Sequence, residues 1–156
     1  MNSQPKRIEV TLETLLDSVD LAEDITVRVA EAAGFDEEDR HRIGISVREG
    51  LINAVIYGNL QQREKRVFLT LEFTSQRMTI RILDEGQGFE LSAVPDPLAE
   101  ENLLKSSGRG ILLMRSFMDE FNVVRGKNGG AEVIMVKRAS SAPGTNEQHD
   151  LAGGGT

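Results

Sequence analysis

The sequence contains no cysteine. That absence excludes a disulfide framework and a thiolate metal site, and nothing in the chain calls for an oxidising compartment. Positive charge is also in short supply, with 18 Lys and Arg against 25 Asp and Glu for a formal net charge of −7, and an isoelectric point near 4.9. Proteins that grip nucleic acid through its phosphates present a basic face that displaces counterions, so general backbone binding is not expected. Long apolar runs are missing too: none approaches the roughly 20 residues of a membrane helix. Met1 to Arg7 leads straight into an alternating segment, so no signal peptide is expected and a reducing cytoplasm is the expected location. The two histidines, His41 and His149, share no plausible site.

What is present suits one domain. A chain of 156 residues with 39% hydrophobic content can bury one core of ordinary depth. Ile8, Val10 and Leu12 alternate with Arg7, Glu9, Thr11 and Glu13, the period of a half-buried strand. From Asp17 to Ala33, Leu21, Ile25, Val29 and Ala32 recur at helical spacing, with Gly34 as the stop. Asp36 and Asp39 predict the start of a second helix, one as cap and both favoured by the helix dipole. That helix runs to about Tyr57 with Ile43, Val47, Leu51 and Val55 on its apolar face. Residues 61–66 make a solvated connection to two strands around Val67–Phe73 and Met78–Ile82. A long stretch to Ser107 follows, then a helix starting at the glycine turn Gly108-Arg109-Gly110, and two strands around Phe121–Val123 and Val133–Val136. The order predicts a mixed sheet with its helices on one face. Residues 1–138 form the expected domain, and 139–156, small, polar and glycine-rich, the expected disordered tail.

Three local patterns carry possible chemistry. Glu49 and Asn53 stand one helical turn apart in an otherwise apolar helix, offering a carboxylate and an amide oxygen to one small volume. An amide oxygen suits magnesium, which takes few protein ligands beside phosphates, and the carboxylate can polarise a hydroxyl. The same pair also fits a solvent-facing or capping role. Asp84, with Gly86 and Gly88, closes a strand; an ionised Asp only accepts hydrogen bonds and so selects the exocyclic amine of adenine over a guanine carbonyl. A tight acidic turn, with Glu85 simply exposed, is the alternative. Gly108-Arg109-Gly110 at a helix start offers amides and the positive dipole end to phosphate, with Lys105 and Arg109 adding charge, or else forms an ordinary turn.

Taken in order, Glu49-Gly50-Leu51-Ile52-Asn53-Ala54, Asp84-Glu85-Gly86-Gln87-Gly88 and Gly108-Arg109-Gly110-Ile111 resemble the three nucleotide boxes of the GHKL ATPase superfamily. Gly108 to Met114 followed by Met118-Asp119-Glu120 is similar to the bacterial anti-sigma factors that are also serine-protein kinases. The resemblance spans about Ile8 to Lys137. It implies a Bergerat-type α/β sandwich, mostly antiparallel, that binds ATP and Mg2+. By the same resemblance Asn53 is the magnesium ligand, Glu49 the general base and Asp84 the adenine reader. Gly86, Gly88, Gly108 and Gly110 form the turns around the nucleotide, and residues 89–107 a lid over the phosphates. The implied activity is phosphorylation of a serine or threonine on a STAS-type anti-anti-sigma partner. Sequestration of a sigma factor and a homodimer are implied with it. Two departures stand out: Tyr57-Gly58-Asn59 where relatives often have His-Gly, and Glu23-Asp24-Ile25 where some relatives place a partner-contacting arginine. A nucleotide-dependent binding module without phosphotransfer and an isolated histidine-kinase-type ATPase domain are the alternative functions. There is no phosphoacceptor histidine on a dimerisation helix.

Overall fold

The structure, a computed structural model, describes residues 4–87 and 106–140. Its elements follow the expected order: β1 (Lys6–Glu13), α1 (Leu16–Ala33), α2 (Glu37–Asn53), a π-helical turn (Ala54–Gly58), β2 (Arg66–Phe73), β3 (Arg77–Leu83), α3 (Ser106–Phe117), β4 (Glu120–Arg125) and β5 (Ala131–Arg138). The strands form one sheet in the order β1-β2-β3-β5-β4. All four pairings are antiparallel, so the parallel component that a mixed sheet allowed is absent among the described residues.

Strand alternation decides which face is covered. Leu12, Val67, Leu69, Leu71, Met78, Ile80, Ile82, Val133 and Met135 are buried on the inner face. Their neighbours in sequence carry the charged outer face, where Arg7 meets Glu72 at 3.1 Å and Arg81 lies 3.8 Å from Glu132. The three helices therefore layer on one side only. α2 lies directly on the strands, and a β-carbon built on its Gly50 would come within 2.6 Å of Ile82 Cδ1. Each fully buried Leu or Ile contributes roughly 1.5–3 kcal/mol, so this inner face is the main source of stability.

Two expectations for the helices need correction. On α1 the buried face is Val19, Ala22, Thr26 and Ala30. Of the predicted stripe, Val29 packs partly buried against the core and Ile25 is half-buried, but Ala32 is exposed and Leu21 is 58% exposed. Small residues win the inner face because α1 packs against α2 at close range, where Gly44 of α2 has Val27 Cγ2 only 3.0 Å from the position of a β-carbon. Gly34 closes α1 in the left-handed conformation, as expected.

Asp36 caps α2 as predicted, its Oδ1 accepting the Asp39 amide at 2.8 Å. Asp39 does more than favour the dipole. It is only 1% exposed, accepts from the Ser140 amide at 2.8 Å and the Ser140 hydroxyl at 2.6 Å, and lies 3.5 Å from the Lys137 ammonium. Lys137 also reaches Asp119 at 3.3 Å. The start of α2 is thereby tied to the end of β5, a long-range link with no local signature.

α3 begins at Ser106, so Gly108, Arg109 and Gly110 lie inside the helix and not in a turn before it. The tail expected over 139–156 lies, from residue 141 on, outside the described residues.

Candidate nucleotide site

The site gathers where α2 ends above the end of β3. Glu49 and Asn53, both half-buried, share the α2 face turned to α3. A β-carbon on Gly110 would stand 3.2 Å from Glu49 Oε2 and 3.4 Å from Asn53 Nδ2. A β-carbon there would press on the ends of these two side chains, so glycine favours the close approach of α3. Gly108 is also buried in this first part of α3, while Arg109 points outward. The first and third motifs are thus in contact. Gly88 and Lys105, with lid residues 89–105, lie outside the described residues.

After Asn53 the helix widens into the π turn, closed by the Asn59 amide donating to the Ala54 carbonyl at 2.7 Å. Such single wide turns are frequent at functional sites. This one brings Gly58 against Asp84, so that a β-carbon on Gly58 would lie 2.1 Å from Asp84 Oδ2. The same crowding holds from the other side, since a β-carbon on Gly86 would lie 2.1 Å from the Gly58 carbonyl oxygen. Two non-glycine residues just beyond, Leu60 and Gln61, are left-handed with φ of 53° and 57°.

Asp84 follows β3 immediately, where the ladder to β5 ends. Its amide donates to the Ala131 carbonyl at 3.1 Å, and its Oδ1 accepts from the amides of Gly86 at 2.9 Å and Ala131 at 3.0 Å. The β4–β5 turn closes back on it, with Asn128 Nδ2 donating to the Asp84 carbonyl at 3.0 Å. Among the described residues no protein donor reaches Oδ2. Asp84 as a whole is 5% exposed. Burial pushes its pKa above the ordinary value, and the two amides, with the charge of Lys65, offset only part of that rise.

Asn53, Tyr57, Gly58 and Asp84 line one pocket with Ile82, Ile111, Met114, Phe121, Val123 and Val133. Its empty space is about 430 Å³, open mouth included. The walls are mainly apolar, the buried carboxylate sits at one end, and Asn53 leads from the pocket toward Glu49. Glu49 stands outside the apolar part, beside Gly110.

Several residues at the site escaped the sequence reading. Asn59, noted in the sequence only beside Tyr57 and Gly58, is 0% exposed and fully hydrogen-bonded. Glu85, expected to be merely exposed, accepts the first amide of β2 from Arg66. Asn128 touches Asp84 only because β5 inserts between β3 and β4, which no local pattern reveals. The one available signal was the cluster Asn128-Gly129-Gly130, a turn signature that located the hairpin but not its target.

Comparisons with known proteins place the chain in a family. Residues 12–137 match the model of the histidine kinase-like ATPase domain family. An "Anti-sigma F factor" of Clostridium perfringens (strain SM101) is 31% identical over 106 residues, covering 67% of this chain and 76% of the relative. The "Anti-sigma F factor" of Clostridium acetobutylicum is 31% identical over 103 residues, covering 65% and 71%. Among solved structures, the RsbU and RsbW domains of Rv1364c from Mycobacterium tuberculosis superpose with a TM-score of 0.64 at 14% identity. That match covers 88% of this chain but 33% of the other, so the present chain spans about one third of that protein's length. The chain belongs to the histidine kinase-like ATPase domain family, with the anti-sigma F factors among its relatives. Its fold is the antiparallel α+β sandwich of that family.

Proposed function

We propose that this protein binds ATP with Mg2+ and transfers the terminal phosphate to a serine or threonine on a STAS-type anti-anti-sigma partner, and that it also holds a sigma factor. The observation that carries the proposal is the convergence of three separated motifs. Gly110 abuts Glu49 and Asn53, and Asn53 lines the same pocket as Asp84.

In this reading the Asp84 Oδ2, which has no protein donor among the described residues, accepts the exocyclic amine of adenine, and the apolar walls sandwich the ring. Guanine is rejected because its carbonyl would face the carboxylate. The amides and dipole at the start of α3 face the phosphates, with Gly108 and Gly110 keeping side chains out of the way. Glu49 accepts the proton of the incoming hydroxyl as it attacks phosphorus. Asn53 is the residue that would hold Mg2+, which when bound offsets charge on the phosphates. The donor set fits that ion: among the described residues no group of three His, Asp or Glu gathers to cage a metal, and magnesium takes one or two protein ligands beside phosphate oxygens.

Incubation with labelled ATP and a STAS-type partner is expected to move label onto the partner, and Asn53→Ala to abolish transfer. Transfer that survives Asn53→Ala overturns the role given to Asn53. A second reading, nucleotide-controlled partner binding without phosphotransfer, is favoured by the exposed Leu16 and Leu21 on α1. It predicts that Glu49→Gln keeps ATP-dependent capture of the partner while the label stays on ATP.

A further inference from the structure

We infer that Asn59 is a positioning residue for the base-reading end of the pocket, setting the close contact of Gly58 with Asp84 beside which the nucleobase amine is read. This rests on the reading of Asp84 proposed above. Asn59 is 0% exposed and does not line the pocket, so it touches no ligand itself. Its side-chain amide ties three separate segments together. Nδ2 donates to Thr14 Oγ1 at 2.9 Å, beyond the end of β1, and to the Arg66 carbonyl at 3.0 Å, at the start of β2. Oδ1 accepts the Glu85 amide at 2.8 Å, and Glu85 is the residue after Asp84. Thr14 passes the chain of bonds on by donating to the Lys65 carbonyl at 2.7 Å.

The position matters because Asn59 holds Asp84 from both sides. Through the backbone it follows Gly58, whose missing β-carbon leaves the space beside Oδ2. Through its side chain it fixes the turn that carries Asp84. Its own amide closes the π turn on Ala54 at 2.7 Å. One side chain therefore sets the spacing between the helix end and the carboxylate. The phosphate end is remote from this clasp, since Glu49 is ten residues back along α2 and its extension, about 15 Å at helical rise. Loss of the clasp should change which base is preferred without changing how a phosphate chain is held. A purely structural amide would instead lower stability and weaken every ligand alike.

The test is titration calorimetry with Mg2+ on wild type, Asn59→Ala, Asn59→Asp and Thr14→Val, using ATP, GTP and inorganic tripolyphosphate, with melting temperatures alongside. In Asn59→Ala the preference for ATP over GTP is expected to fall by roughly tenfold, while tripolyphosphate binding stays within about twofold. Asn59→Asp keeps the acceptor for Glu85 and loses the two donations, so it falls between wild type and Ala. Should Asn59→Ala fail to fold, Thr14→Val removes a single partner and is expected to lower the same ratio by roughly threefold. An ATP:GTP ratio unchanged in whichever of these variants folds, against a wild type that does prefer ATP, overturns the role of Asn59. A wild type that shows no preference for ATP instead overturns the base-reading role of Asp84.

Discussion

Two buried aspartates in this protein have opposite fates. Asp39, at the start of α2, is saturated by the Ser140 amide and hydroxyl and lies beside the Lys137 ammonium. Burial alone would raise its pKa, but the Ser140 hydrogen bonds and the Lys137 charge outweigh burial and hold it below the ordinary value. Asp84, at the end of β3, has two amides on one oxygen and, among the described residues, no protein donor on the other, and burial leaves it above the ordinary value. A carboxylate whose bonding is completed by the chain serves the fold. One left half-satisfied in an apolar pocket costs stability and, in the proposed reading, is open to a donor from a ligand.

The sharpest way to break this comparison is Asp39→Ala. It leaves Lys137 with Asp119 as its remaining carboxylate and strips the Ser140 amide of its acceptor, and is expected to destabilise folding by about 3–5 kcal/mol, read from urea unfolding. The converse is Asp84→Asn. It removes a costly buried charge, so urea unfolding should show stability equal to or above wild type. ATP affinity should meanwhile drop by roughly 10- to 100-fold in calorimetry, because the acceptor proposed to face adenine becomes a donor. Equal destabilisation by the two variants would erase the distinction.

Titration sharpens it further. Asp39 and Asp119 are held low, the latter because the Arg138 amide and Lys137 overcome the upward pull of its burial. The stability they supply is complete above the ordinary aspartate range and is lost as pH falls through their lowered values. Asp84 carries the opposite sign. Its folded form holds the proton more tightly than the unfolded chain, so its contribution is present below the ordinary value and disappears as pH rises toward the raised one. Urea midpoints measured against pH should therefore lose this high-side decline in Asp84→Asn and keep the acid-side fall. A profile identical to wild type contradicts the assignment. The smallest expected effect is that of Ser140→Ala, which deletes one of the two Ser140 donations to Asp39 and should cost about 1 kcal/mol in the same unfolding assay.

The elements and their order were legible because each rests on a short-range pattern. Ile8, Val10 and Leu12 alternate at the strand period, Asp36 caps its helix, and Gly34 stops one. The residues that meet at the site were legible as types, since glycine beside carboxylate and amide at fixed spacing constrains chemistry strongly. The buried face of α1 was misread because Leu21 and Ile25 outweigh Ala22 and Ala30 in hydrophobicity, while close packing against α2 selects for smallness. Asn59, Asn128 and Lys137 were illegible for another reason. Their partners lie at Thr14, Asp84 and Asp39, far away in the chain, and only the strand order brings them together.

The wide turn at Ala54–Gly58 also acts as a phase adjuster. Each helical residue advances the chain by about 100°, so the surplus residue in that turn determines whether Gly58 or a bulkier neighbour meets the carboxylate. Deleting Ile56 would restore a regular coil yet swing the downstream glycine out of alignment, while the apolar face upstream kept its seat on the strands. Length in this segment is therefore constrained together with the glycine at position 58, and a shortened variant should lose the contact of Gly58 with Asp84.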